Sequence, residues 1–220
     1  MKKIEAFVIN PANPNNPYDY IGQNHNYLMS SMVQNYQTEI ERIADLYERQ
    51  RFIKEKTNEL TQFYYQYRSD LNALDTVYSN DGLYSRINFD NYQAIIEYFD
   101  MPSKDKVILI EYYDKLTKIE LIDSMQVNEA ISLALNLEMN VLNSTVRNNY
   151  LVLGAMAITR YSLYWAQTNL NFEDQIRGKV KWWHVLADAI GGLAGGLLGG
   201  GVGILPGAVA GTTIYEKCTE

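Results

Sequence analysis

The sequence predicts an all-α fold: a multi-helix bundle with one long helix and a C-terminal glycine-zipper helix or helical hairpin. Three observations carry this expectation. Apolar residues recur at spacings of three and four through most of the chain. No segment alternates convincingly with period two, so no substantial sheet is expected. Ten of the 14 glycines lie between Gly191 and Gly211, six of them on an unbroken four-residue repeat.

The elements follow in order. Residues 1–17 form an extended lead, because Pro11, Pro14 and Pro17 among four asparagines disfavour helix. Asn16 is placed to cap a first helix, with Pro17 at its first position and Asp19 at the positive end of its dipole. Ile21, His25, Leu28, Met29 and Met32 mark its apolar face. A long helix, or two with a bend, is expected over about residues 36–76. Leu46, Ile53, Leu60, Tyr64, Tyr67, Leu71, Leu74 and Tyr78 sit on its heptad frame, interrupted by Gln50 and Thr57. Interspersed charges such as Glu48, Arg51, Lys54 and Glu55 mark the solvated face. Ser79-Asn80-Asp81-Gly82 reads as a turn, and Phe89 to Phe99 as a short helix.

Ser103 is expected to cap a helix reaching about Asp123, with Val107, Ile110, Leu116 and Ile119 inward. Ser124 caps the next, with Val127, Ile131, Ala134, Leu135 and Val141 inward. Thr145 caps a fifth, along which Leu151, Gly154, Ile158, Tyr161, Trp165 and Thr168 keep regular spacing. Arg160 interrupts an uncharged stretch from Asn148 to Phe172, and a buried core helix with Arg160 at its edge is preferred over a membrane span. The domain division is then a lead (1–17), a helical body (18–171), a charged and aromatic hinge (172–188) and a glycine-zipper tail (189–220). Residues 20–171 carry enough large apolar side chains to be expected to fold alone.

The tail is the most distinctive feature. Gly191, Gly195, Gly199, Gly203, Gly207 and Gly211 follow one another at intervals of four, and no charge occurs from Ala189 to Tyr215. On a helix such glycines share one face, so that another helix can approach to backbone contact. In water each costs about 1 kcal/mol of helix propensity against alanine, which a membrane or tight packing must offset. Trp182 and Trp183 before the run and Tyr215 at its end are placed as interface anchors.

The segment Ala189-Ile-Gly-Gly-Leu-Ala-Gly-Gly-Leu-Leu-Gly-Gly-Gly-Val-Gly resembles the glycine zippers of bacteriocin-like, membrane-active bacterial proteins. The start Asn16-Pro17-Tyr18-Asp19-x-x-Gly22-x-x-His25-Asn26 is similar to a motif of uncharacterised bacterial helical proteins, some with such tails. The resemblance implies a non-enzymatic, membrane-associating, self-assembling or toxin-like protein acting through its tail. The alternative is a soluble interaction protein whose tail packs as a hairpin against its own body or a partner.

Composition narrows the classes. Net charge is −7, against the basic stripe that nucleic-acid binding requires. One cysteine, Cys218, excludes a disulfide scaffold, and two histidines, His25 and His184, leave no metal-ligand cluster. Asp19, His25 and Asn26 form a candidate polar site on the first helix, with a satisfied, partly buried histidine preferred to a ligand. His184 reads as part of the tail's anchoring border. No catalytic, cofactor-binding or metal-binding residue is assigned, and no cofactor is expected. The expected partners are a membrane or a second copy through the tail, or a protein, but not nucleic acid. Lys2 and Lys3 precede too short an apolar run for a Sec signal, so synthesis in the bacterial cytoplasm is expected, followed by membrane association or export by a dedicated route.

Overall fold

The computed structural model describes residues 8–65, 92–144, 149–169, 182–198 and 208. Among them there are seven helices and no strand: α1 (Asp19–Arg42), α2 (Leu46–Tyr65), α3 (Tyr92–Tyr98), α4 (Ser103–Leu116), α5 (Ser124–Leu142), α6 (Tyr150–Asn169) and α7 (Trp182–Leu198). The all-α expectation is met.

The organising element is α6. It packs against α1, α4, α5 and α7, and every residue from Val152 to Arg160 is buried. That fits its composition, which is apolar and small on all faces rather than along one stripe. The remaining layers are peripheral: α2 lies on α1, and α3 on α4. The main core draws on six of the helices and α5, through Leu28, Met32, Ile53, Ile96, Leu109, Tyr113, Ala134, Leu153, Ile158, Ile190 and Leu193. A smaller one joins Leu121, Val127, Ile131, Leu163 and Val185.

Several element boundaries differ from the sequence expectation for local reasons. α1 begins at Asp19, not Pro17, because the Asn16 side chain accepts from the Tyr18 N–H at 2.8 Å and forms a turn ahead of the helix. The helix break falls at residues 43–45, not near 36. There Ile43 is extended, and Asp45 Oδ1 accepts from the Glu48 N–H at 2.9 Å to open α2. The predicted end near residue 76, Tyr67, Leu71, Leu74, Tyr78 and the turn at Ser79-Gly82 lie outside the described residues.

α4 stops at Leu116, well before Asp123, and its inward face is Asp105, Leu109, Tyr112, Tyr113 and Leu116. Val107, expected inward, is half exposed. The aromatic pair at 112–113 outweighs the aliphatic spacing and turns the helix. Asp123 rather than Ser124 caps α5, accepting from Met125 and Gln126 N–H groups. Asn149 opens α6, its Oδ1 accepting from Leu151 and Val152 at 3.0 and 3.2 Å; Thr145, expected in that role, lies outside the described residues.

Gly22 marks the closest approach of α1 to α6. A Cβ there would sit 2.6 Å from the Ala157 carbonyl oxygen and 2.4 Å from the Tyr161 ring. Gly22→Ala is therefore expected to destabilise the fold by about 1–3 kcal/mol through overpacking, although alanine favours helix by about 1 kcal/mol. On α2, Ile53→Ala is expected to cost about 2–5 kcal/mol, since Ile53 is fully buried, while Lys54→Ala costs little. Denaturant unfolding of the three variants measures both differences; a neutral Gly22→Ala would mean that α1 and α6 do not meet there.

A buried polar seam as the candidate functional site

The residues of the Asn16-to-Asn26 motif recur about every three positions, which sets them along one side of α1. That side faces α6 and the start of α7, and Asn16, Asp19, Gly22, His25 and Asn26 each meet a group across the interface. Asn16 Nδ2 donates to Glu138 Oε1 and, at 3.1 Å, to the Leu153 carbonyl. Asp19 accepts from Arg160 Nη2 at 2.6 Å and from the Tyr161 hydroxyl at 3.1 Å. Gly22 admits the α6 backbone. Asn26 Nδ2 donates to the Tyr161 carbonyl at 2.6 Å. His25 lies 1% exposed, between Asn26 and Asp188 of α7.

Arg160 sits at the centre of this seam. It was expected at the edge of its helix; instead it is fully buried. Its Nε donates to Glu138 Oε2 at 2.5 Å, Nη2 to Glu138 Oε1 and Asp19 Oδ1, and Nη1 to the Pro11 carbonyl. One guanidinium thus ties the lead, α1 and α5 to α6. Burial raises the Glu138 carboxyl above the ordinary glutamate range, while Arg160 and Asn16 pull it down. Burial also opposes the Arg160 charge, but Glu138 and Asp19 outweigh it and hold the guanidinium ionised more firmly than usual. With a permanent cation donating twice to Glu138, the carboxylate is the form the geometry fits. Burial, with Asp19 beside it, pushes Tyr161 up to about 12, so the phenol stays a donor.

Around Arg160 this arrangement is a satisfied structural network, its polar groups spent on one another; at its far end His25 Nε2 and Asp188 Oδ1 face each other without a hydrogen bond. No group of three or more His, Cys, Asp or Glu side chains among the described residues could hold a metal. The sequence showed Asp19, His25 and Asn26 but missed Glu138, Asp188 and the lead's role. A partial signal existed: Arg160 is the lone charge on its helix, and Glu138, unlike the exposed Glu129 on the same helix, stands among apolar residues of α5.

The tail residues are placed as follows. α7 runs through the expected boundary at 188/189 without interruption, so the last part of the hinge and the first part of the tail are one helix. Gly191 and Gly195 are buried in it, as are Gly192 and Gly196. Trp182 is partly buried against both cores, its Nε1 donating to the Ile119 carbonyl at 2.6 Å, an anchor onto the helical body. Trp183 lies in the same helix; Gly199, Gly203, Gly207, Gly211 and Tyr215 lie outside the described residues. Ala208 is buried in the main core. Among the described residues no helix is long and apolar enough to cross a membrane.

No protein-family model, curated protein or solved structure matches the chain.

Replacing Arg160 by methionine leaves Glu138 buried without its cation, and is expected to cost about 3–5 kcal/mol. Adding Glu138→Leu should recover a large part of that loss, because the orphaned carboxylate is gone. A double-mutant cycle in urea checks this; two additive single effects would mean the pair is not coupled.

Proposed function

We propose that this is a non-enzymatic bacterial protein that shelters a membrane-competent, self-associating glycine-rich tail within its own helical body. One observation carries the reading: every residue of α7 from Val185 to Gly196 is buried, although the helix is apolar almost all round. A helix of that composition in water must be covered, and here α6 covers it. The buried glycines let the covering be close, which offsets their poor helix propensity.

Membrane competence rests on the uncharged run Ala189–Tyr215, which is long enough for a span of about 20 residues. The bacteriocin-like glycine repeat supports the same reading. The single carboxylate of α7, Asp188, stands at the edge of that run, so an inserted form would leave it at the interface. The bilayer-centre cost of an aspartate, about 2.5–3.5 kcal/mol or more, is then avoided.

A second reading is favoured by the same burial: a soluble interaction protein in which the tail stays packed permanently. Under it the helical body is incomplete without α7, since Val185, Leu186, Ile190 and Leu193 belong to the two cores. The expectation that residues 20–171 suffice for a core meets this same fact.

The two readings part on one variant. Gly195→Leu overfills the buried seat of α7 but makes the tail more apolar. We expect it to free the tail to proteolysis and to move the full-length protein from the soluble fraction onto anionic liposomes in a flotation gradient. The parent should stay behind. A variant whose tail is cleaved readily yet does not float would sink the membrane reading and leave the soluble one.

A further inference from the structure

The contact between α1 and α7 contains a pair of buried polar atoms facing each other without a hydrogen bond. His25 Nε2 lies 3.5 Å from Asp188 Oδ1, and both atoms are inaccessible and unpartnered. The surrounding hydrogen bonds explain why. Asn26 Nδ2 donates to the Tyr161 carbonyl at 2.6 Å. Turning the amide over would set its own carbonyl against that one, so Asn26 Oδ1 is the atom that faces His25 Nδ1, at 3.1 Å. An oxygen acceptor there requires a proton on Nδ1. In a neutral imidazole Nε2 is then a bare lone pair, pointing at a carboxylate oxygen that is also only an acceptor. A water in line between them would need about 5.5 Å, more than the gap allows.

One proton on Nε2 resolves the conflict, giving an imidazolium with Nδ1–H on Asn26 and Nε2–H on Asp188. Other charged groups do not compete. On α6, Arg160 is turned to Glu138 and Asp19, and the Tyr161 hydroxyl to Asp19. On α1, Asp19 is held by those same two groups. Among the described side chains Asp188 is the one carboxylate within ion-pair distance of His25.

We propose that His25 and Asp188 form a buried proton-binding site, and that its proton latches the tail helix α7 to α1. This rests on the sheltered-tail reading and supplies its trigger. The sign follows from the proton count. An unfolded histidine loses its proton near about pH 6.5 and an aspartate is already ionised there. The latched state therefore binds one proton more than the released state above that pH. The latch is therefore at full strength below about pH 6.5 and weakens as alkali removes the proton.

Amide hydrogen exchange of the full-length protein, followed between about pH 7 and about pH 9, tests this below the tyrosine range. Protection factors in α7 are expected to fall at least about tenfold, the change that one pH unit of linkage produces, while those in α6 hold. Asp188→Asn should remove the pH dependence and keep the protection, because an amide donates to a neutral Nε2. His25→Gln should do the same from the other side. Nitrogen NMR of the parent provides the check that needs no variant: at neutral pH both His25 ring nitrogens should be protonated. A neutral His25 ring, or α7 protection that is constant with pH in the parent, overturns the proton site and leaves the sheltered tail intact. An α7 that is unprotected at every pH overturns the sheltered tail, and the latch with it.

Discussion

The burial of one cation sets the terms for the rest of this structure. Arg160 lies at the end of the buried run Val152–Arg160 of the organising helix, where an unpaired charge is prohibitively costly. It is tolerable only if its donors are met, and they are met from three directions: Glu138 on α5, Asp19 on α1 and the carbonyl of Pro11 in the lead. Each partner fixes a register. Slide α1 by one turn and Asp19 leaves the guanidinium; shift α5 and Glu138 becomes an orphan. An all-apolar α6 would pack with comparable stability in many registers. The network selects one, which is the specificity role that buried polar groups are best attested to have.

That constraint explains the spacing of the first motif. Asn16, Asp19, Gly22 and His25 fall on one strip because each meets α6 or α7 at a different height: a carboxamide, a carboxylate, a space for backbone, and an imidazole. The glycine is part of the electrostatics. Without the close approach it permits, the polar atoms on either side would stand too far from α6 to bond. The proline-rich lead, which has no helix of its own, is held because its carbonyl at Pro11 and its amide at Ile9 are used, the latter by Asn128 at 2.9 Å.

Much of this was legible in the sequence, and the remainder was hidden for definable reasons. Helix existence followed from spacing, and the α5 face Val127, Ile131 and Ala134 was legible because apolar periodicity is strong there; on α6 the spacing marks a stripe that runs to exposed Thr168, whereas Val152 to Arg160 are buried all round. Caps were misassigned by one or a few residues wherever two polar residues competed, as Asp123 with Ser124. The face of α4 was misread because tyrosine counts as half polar on inspection, yet Tyr112 and Tyr113 are buried. Arg160 was placed at an edge because a single residue's charge is local information, whereas its neutralisation by Glu138, 22 positions away, is tertiary. Asp188 falls at the end of the expected hinge; only the meeting of α7 with α1 shows it as an interior group.

The two buried polar contacts differ in how firmly they hold, and the difference bears on what can move. Arg160 is anchored by several charge-assisted hydrogen bonds to three segments, so nothing short of unfolding frees it. Among the described residues α7 meets α1 through the His25–Asp188 pair, is tied to the body by the Trp182 Nε1 bond to the Ile119 carbonyl and the Tyr150 hydroxyl bond to the Gly196 carbonyl, and otherwise leans on dispersion and apolar burial against α6. Apolar contact gives stability without direction, whereas the single His25–Asp188 contact supplies direction with little redundancy. A body locked by a charged network and a tail helix held by a few separate polar contacts are units of unequal stability. Under the sheltered-tail proposal the first cooperative opening is the departure of α7. It would uncover the buried glycines of the tail while the Arg160 seam keeps the lead, α1, α5 and α6 in register.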